Sequence, residues 1–452
     1  MATVGNALLT DFYQLAMAQA YFESGMHETA VFELFVRTLP KTRRFLIAAG
    51  LEQAIEYIEQ LRFEPADIEF LCALRRFSQP FLDYLGTLRF SGSVHAKPEG
   101  TPFFADEPIL RVTAPILQGQ LLESRLLNIV HFQTTIASKA ARCVIAARGR
   151  QLVDFGLRRA HEAAAGLLAA RAAFLAGFDG TATVEAARRF GLPLSGTLAH
   201  SFIEAHDREQ DAFRDFVNSR REPTALLIDT YDTARAVQRV VALVHELRSG
   251  GSPQPSVRAV RIDSGDLAAQ ARAVRAELDA HECADIQIVV SGGLDEHVID
   301  ELLSGGAPVD AFGVGTALDV SADAPALDMA YKLQEYAGKA RRKSSPGKAT
   351  WPGPKQVFRE RSAAQQYLAD RIAWLGEPPP IGQPLLCEVM CAGRRSAPLP
   401  PLGEVREYCR AEMRALPATV RRLNAGPALY PVSVSQELRA MAARIDSAQR
   451  GG

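Results

Sequence analysis

Five short apolar runs in this chain each end in small, acidic or hydroxyl residues: QLVDFG (151–156), ALLIDTYD (225–232), AVRIDSGD (259–266), IQIVVSGG (286–293) and DAFGVGT (310–316). A continuous apolar run of this length reads as a strand buried on both faces. Helix-length amphipathic stretches between the later runs turn the set into a parallel sheet or barrel. In such folds the residues just past the C-terminal ends of the strands line the active site. Here those ends offer carboxylates for a metal and Gly, Ser or Thr backbone for phosphate. The pattern predicts an enzyme acting on a phosphorylated substrate.

The flanks are patterned differently. Residues 1–60 are expected to be mainly helical, because TDFYQLAMAQAYF and LEQAIEYIEQL space their apolar residues near the helical repeat. AVFELFVRTLP between them reads as a strand stopped by Pro40, and SGSVHA and PILRVTAP within 88–115 read as short antiparallel strands. Leu121 to Ala147 reads as one long helix or two, and the strand–helix alternation extends from Gly149 to Ala340. In ARRKSSPGKATWPGPKQVFRE (340–360) Gly and Pro crowd out a long helix or a central strand. The last hundred residues mix proline-rich loops with amphipathic helices, and the tail DSAQRGG is expected to fray. The fold class is therefore α/β, with three parts: an N-terminal α+β domain (1–148), an irregular α/β barrel holding the active site (149–340), and a C-terminal segment of basic loop, Pro-rich loops and helices (341–452).

Composition narrows the function classes. The 452 residues, 47% hydrophobic and 23% charged, suit a globular protein of more than one domain. A net charge of -1 argues against a dedicated nucleic-acid binder or a polybasic membrane anchor. The N-terminus lacks a basic stretch and carries Asp11 early, unlike a secretion signal. No apolar run approaches the ~18 residues of a membrane span. The expected location is the cytoplasm. Cys72, Cys143, Cys283, Cys387, Cys391 and Cys409 form no Cys-x-x-Cys pair. Cys387, Cys391 and Cys409 lack a fourth ligand at useful spacing, so reduced thiols are favoured over a zinc site.

Several phosphate and metal signatures are absent: a P-loop, a Rossmann G-x-G-x-x-G after a strand, H-E-x-x-H, and the paired acids before a phosphate loop of type I phosphoribosyltransferases. A phosphate must then sit on barrel-type loops. SGG (291–293) and GVGT (313–316) are the candidates, since glycine lets backbone N–H groups approach a phosphate and the next helix N-terminus adds a favourable dipole. The alternative is that these glycines only make tight turns. Asp154, Asp229 with Asp232, and Asp263 with Asp266 either hold Mg²⁺, orient a histidine, or cap the following helices. Arg158, Arg159 and Arg261 suit an anion in the barrel mouth, with a solvated rim as the alternative for Arg261. Phe155 offers a face for a flat heterocycle, or is core. His200, in LSGTLAHSF after a strand-like segment, is a general base, a metal ligand, a phosphate-accepting nucleophile or a structural residue.

Taken together, TDFYQLAMAQAYFESGMHETAVFELFVRTLP, LLNIVHFQT, DFGLRRAH, AGFDGT, GTLAHSF, EAHD, LLIDTYDT, RIDSGDL, SGGLDE, FGVGT, SADAPALDMAYKL, KQVFR and YPVSVS resemble the nicotinate phosphoribosyltransferases, from about residue 7 to about 440. The resemblance implies an irregular α/β barrel of the type II phosphoribosyltransferase kind and active sites completed across a homodimer. It implies ATP-dependent formation of nicotinate mononucleotide and pyrophosphate from nicotinate and 5-phosphoribosyl 1-pyrophosphate, the first step of NAD salvage from nicotinate. Mg²⁺ would accompany the pyrophosphate and ATP, without a dedicated protein cage. Phe155 would stack on the pyridine ring and the neighbouring subunit's copy of Tyr13 would cover its other face. Arg158 and Arg261 would line the nicotinate and phosphate sites, and Asp263 would contact the ribosyl part. Gly292, Gly293, Gly315 and Thr316 would hold the 5′-phosphate. His200 would be phosphorylated by ATP, with Asp229 hydrogen-bonded to its other nitrogen. Ala182 falls where nicotinamide-using relatives carry an aspartate, which favours the acid substrate. Pro354 replaces an expected basic residue, leaving Lys343, Lys348 and Lys355 as phosphate contacts and Arg37 toward the partner's pyrophosphate site. The alternatives are a nicotinamide- or quinolinate-type transferase, another sugar-phosphate barrel enzyme and a silent metabolite-binding regulator. A Schiff-base lysine at a strand end, which a lyase would want, is missing from all five endings.

Overall fold

All five apolar runs become strands of one parallel sheet. In the computed structural model, which describes residues 6–250, 256–345, 347–424 and 430–450, the sheet belongs to a compact unit, Lys139–Asp323. Its strands are β1 (Gln151–Asp154), β2 (Gly180–Thr181), β3 (Thr224–Leu227), β4 (Val257–Ile262), β5 (Gln287–Ser291) and β6 (Ala311–Val314). The spatial order is β2-β1-β6-β5-β4-β3, parallel throughout. The sheet curls as an open half-barrel with β2 and β3 at its edges. All residues of β3 and β6 are buried, as expected of strands covered by helices. The two-residue β2 had no apolar run to announce it. LPLSGT supplies only an isolated bridge, Thr181 to Leu194.

Three helices follow β3, β4 and β5: Thr233–Ser249, Leu267–Ala280 and Glu296–Ser304. Each packs an apolar stripe at helical spacing, for example Val237, Val240, Val241 and Val244 in the first. Each starts at an aspartate whose side chain accepts backbone N–H bonds: Asp232 from Arg235, Asp266 from Ala269, and Asp295 from His297 and Val298, all at 2.9 Å. Asp232 and Asp266 are therefore N-caps.

The second unit joins Met1–Ser138 to Ala324–Gly452. Its main sheet is antiparallel and draws on both chain segments, in the order Lys339–Ala340, Met329–Tyr336, Thr29–Val36, Pro108–Pro115, Ser93–Ala96, Cys387–Cys391, Arg394–Arg395. The N-terminal helices are Phe12–Glu23 and Leu51–Gln60, and Leu121 to Ala147 divides into Ile116–Leu121 and Glu123–Ala147. Within 340–360 the structure corrects the sequence reading. Lys355–Arg361 is a strand paired on both sides, with Gln383–Pro384 and Tyr367–Trp374. Its charges are buried against partners: Lys355 lies 2.8 Å from Glu33, and Arg359 grips Asp370 through two guanidinium nitrogens. The tail is also more ordered than expected, since Gln436–Arg450 is helical; Gly451 and Gly452 lie outside the described residues. Among the described residues no helix is long and apolar enough to cross a membrane.

Candidate active site

The ends of β1, β4, β5 and β6 meet around two side chains. Phe155 leaves β1 with its ring laid across Gly313 of β6, where an added Cβ would fall 2.4 Å from ring carbons. Gly313 thus clears room for the ring. Arg261 of β4 brings its guanidinium to 5.6 Å from the centre of that ring, within cation–π range. The same guanidinium donates to Thr197 Oγ1 at 2.7 Å and to Ser291 Oγ and Asp263 Oδ1 at 2.8 Å. Its side chain is only 12% exposed, which rules out the solvated-rim reading.

Asp263 Oδ1 also accepts the Ser291 hydroxyl. Burial pushes the Asp263 carboxyl up, but the bonds from Arg261 and Ser291 and the neighbouring Arg261 and His200 hold it below the ordinary aspartate value. It stays a carboxylate at neutral pH. His200 opens the short helix His200–Glu204 with its side chain 41% exposed. Its Nε2 lies 4.0 Å from Asp263 Oδ2, and its Nδ1 lies 3.1 Å from the Thr230 hydroxyl.

That last contact corrects an expectation. Thr230, not Asp229, faces the second imidazole nitrogen. Asp229 Oδ2 instead accepts from the Asp263 amide at 2.9 Å and the Ser264 hydroxyl at 2.6 Å. Successive residues at a strand end point to opposite sides, so turning Thr230 toward the imidazole turns Asp229 toward the end of β4. Asp229 Oδ1 is buried and finds no hydrogen-bond partner among the described residues.

The glycine turns divide by cause. Gly292 and Gly293 adopt φ of +88° and +65°, and a Cβ on Gly292 would stand 2.0 Å from the Asp263 carbonyl oxygen. Only glycine fits there. Gly292, Gly293 and Thr316 are exposed and Gly315 is half-buried, so their backbone can be reached by a ligand. The helix after SGG offers less, because Asp295 already occupies its first amides.

Asp154 braces rather than binds: fully buried, it accepts the Gly156 N–H at 2.8 Å and the Thr181 hydroxyl at 2.7 Å. Ala182 is exposed beside it, its N–H bonded to the Asp154 carbonyl at 2.9 Å. Arg158 and Arg159 are exposed on the 3-10 turn Leu157–Arg159, outside the hydrogen-bonded cluster. In the other unit Tyr13 is 47% exposed, Lys343 and Lys348 are exposed, and Arg37 pairs with Asp328 at 2.7 Å. Lys355 is spent on Glu33 and on the Trp351 and Gly353 carbonyls, so it is not available for a phosphate. All six cysteines are free thiols, and among the described residues no three His, Cys, Asp or Glu side chains gather for a metal.

Comparison with known proteins identifies the family. Three family models match in succession: the nicotinate phosphoribosyltransferase N-terminal domain (residues 8–131), the nicotinate phosphoribosyltransferase family (150–343) and the nicotinate phosphoribosyltransferase C-terminal domain (381–442). The chain belongs to the nicotinate phosphoribosyltransferase family. It is 46% identical to the nicotinate phosphoribosyltransferase pncB2 of Mycobacterium tuberculosis, over 97% of this chain and 94% of that protein. It is 40% identical to the Bacillus subtilis nicotinate phosphoribosyltransferase, over 78% of this chain and 73% of that one. Among solved structures, human nicotinic acid phosphoribosyltransferase superposes with a TM-score of 0.84 at 29% identity, covering 96% of this chain and 99% of the human one. The irregular α/β barrel expected from the strand endings is thus the nicotinate phosphoribosyltransferase fold.

Within this nicotinate phosphoribosyltransferase site, sequence reasoning passed over Thr197, Thr230 and Ser291. All three stood inside strings already singled out, and each is a hydroxyl next to a residue that drew more attention. Thr181, the last residue of AGFDGT, was passed over in the same way. Asp319 had no such signal, since a four-residue helix leaves no periodicity to read.

Proposed function

We propose that the chain forms nicotinate mononucleotide and pyrophosphate from nicotinate and 5-phosphoribosyl 1-pyrophosphate, with ATP hydrolysed alongside. The observation that carries this reading is the single cluster at the strand ends: an aromatic ring under a guanidinium, a persistent carboxylate, and an exposed imidazole beside it. Nicotinate stacks on Phe155, and the cations Arg261 and Arg158 attract its carboxylate and the substrate phosphates. Departure of pyrophosphate builds positive charge at the anomeric carbon, and the pyridine nitrogen attacks there. Asp263, held ionised, faces that charge and accepts ribosyl hydroxyls. Gly292, Gly293, Gly315 and Thr316 take the 5′-phosphate through their backbone. Ala182, lacking a carboxylate, leaves room for an anionic ring.

His200 is the proposed acceptor from ATP. Its Nε2 attacks the γ-phosphorus, the P–N bond forms, and ADP leaves with the electrons of the broken P–O bond. The Thr230 hydroxyl orients the ring through Nδ1, and Asp229 stiffens the Asp263–Ser264 turn. Mg²⁺ would supply charge neutralisation for pyrophosphate. The residues fit it, because Asp229 Oδ1 is an orphaned carboxylate oxygen and Mg²⁺ asks for only one or two carboxylates besides phosphates and water. We propose a homodimer in which Tyr13, exposed here, closes the partner's pyridine site. The proposed setting is the cytoplasm, which suits six free thiols.

The test is direct. Purified protein with nicotinate, 5-phosphoribosyl 1-pyrophosphate, Mg²⁺ and ATP should release pyrophosphate; turnover of nicotinamide or quinolinate instead overturns the assignment. In His200→Ala, ADP release and ATP stimulation should vanish while some ATP-independent transfer survives. Undiminished stimulation in that variant rejects the phosphohistidine role.

A further inference from the structure

Behind the pyridine-stacking turn lies a second acid that the mechanism does not use. Asp319 ends the helix Thr316–Asp319, directly after the Gly315 turn, and is 1% exposed. Neither of its carboxyl oxygens meets a donor among the described residues. It presses on Gly156 so closely that a Cβ there would sit 2.1 Å from the Asp319 carboxyl carbon, and its hydrogen-bonding neighbour is Asp154, which holds the Gly156 N–H at 2.8 Å. Gly156 has an ordinary φ of -90°. It is glycine for room, not for conformational freedom.

Two carboxyls in one dry site cannot both be charged. Asp154 has two donors, the Gly156 amide and the Thr181 hydroxyl, which favour its ionised form. Asp319 has none, so the proton belongs to it. We infer that Asp319 is a positioning residue: as a neutral acid it donates a hydrogen bond to the Asp154 carboxylate. It thereby ties the phosphate turn Gly315–Thr316 to the Phe155–Gly156 turn that carries the stacking ring. The distance between the ring site and the phosphate site is then set by this bond. Burial and the Asp154 charge push the Asp319 carboxyl up to about 9. The elements packed on its helix contribute Arg158 and Arg159 from the exposed 3-10 turn and the buried, already bonded Arg171 from the helix Ala163–Ala176.

This inference rests on the nicotinate reading, and the experiment separates the two. Asp319→Asn keeps a neutral donor of the same size, whereas Asp319→Ala removes it. Asp319→Ala should raise the KM for nicotinate about tenfold with a smaller change in kcat, and Asp319→Asn should stay within about twofold of the parent. The parent's nicotinate KM should climb through about pH 9 as Asp319 ionises, and that rise should be missing in Asp319→Asn. An unchanged KM in Asp319→Ala, an equal loss in Asp319→Asn, or an alkaline rise that persists there overturns the proposal. Independently of turnover, the infrared difference between the parent and Asp319→Asn at neutral pH should contain a protonated-carboxyl band that disappears in alkali. Its absence also overturns the proposal. Its presence in a protein that fails to use nicotinate keeps the shared proton and refutes only the nicotinate assignment.

Discussion

Arg261 holds the ends of β4 and β5 and the segment before His200 with one guanidinium, so its replacement separates charge from shape. Lysine keeps the charge but cannot reach Thr197, Ser291 and Asp263 together. Charge-assisted hydrogen bonds contribute about 1.5–3 kcal/mol each, so losing one or two predicts a fall in kcat/KM of roughly a hundredfold in Arg261→Lys. A loss under about threefold in steady-state kinetics would make Arg261 a spectator. At Ala182 the expected outcome is a change of preference: Ala182→Asp should weaken nicotinate about tenfold through charge repulsion and spare nicotinamide, as competition assays would measure. Asp319 carries a stability signature as well. Its folded value is pushed up to about 9, far above the ~3.9 of an unfolded aspartate. Between those limits the unfolded chain has released a proton that the folded chain keeps, so stability falls as pH rises through the window and levels off above it. Asp319→Asn removes that slope, and its melting temperature should gain on the parent's as pH rises from about 5 to about 9. Identical pH profiles of melting would contradict a buried neutral acid. At this scale residue type was legible and direction was not. Asp229 and Thr230 are neighbours in the sequence, and nothing local says which one faces the imidazole.

At the level of elements, identical-looking endings carry different duties. Asp232 and Asp266 cap helices through backbone amides at 2.9 Å, while Asp229 and Asp263 lie three residues earlier and join the site. Asp266→Ala should therefore cost about 1 kcal/mol of stability and leave kcat/KM unchanged, whereas Asp263→Ala should abolish turnover with little effect on melting. A loss of activity in Asp266→Ala without a loss of stability would return that residue to the chemistry. The parallel strands were legible because they are largely buried, every residue of Thr224–Leu227 and Ala311–Val314 included, which demands short apolar runs. Lys355–Arg361 was not. The glycines and prolines just before it argued against a central strand, but Asp370 of the paired strand neutralises Arg359 and Glu33, from the far end of the chain, neutralises Lys355. A local pattern cannot announce a partner some three hundred residues away.

Over the whole molecule, the chain leaves one unit, builds the strand–helix unit Lys139–Asp323, and returns. The proposed homodimer, in which the exposed Tyr13 closes the partner's site, has a test of its own. Tyr13→Ala and Arg261→Ala should each be inactive alone, and mixing refolded subunits of the two should recover turnover through dimers with one intact site. No recovery would argue against a site closed by the partner. The family resemblance ran nearly end to end, yet the joining of the first and last segments into one sheet was not legible, since strand pairing across such separations leaves no local trace. That pairing has a consequence during synthesis. Thr29–Val36 lies between Pro108–Pro115 and Met329–Tyr336, and the second neighbour emerges more than two hundred residues after the first. At about 5–20 residues per second, the half-built sheet waits on the order of ten to forty seconds with an apolar edge bare. The ribosome meanwhile delivers an uninterrupted unit that can complete itself. Of everything in this protein, that waiting edge is where a chaperone has the most to do.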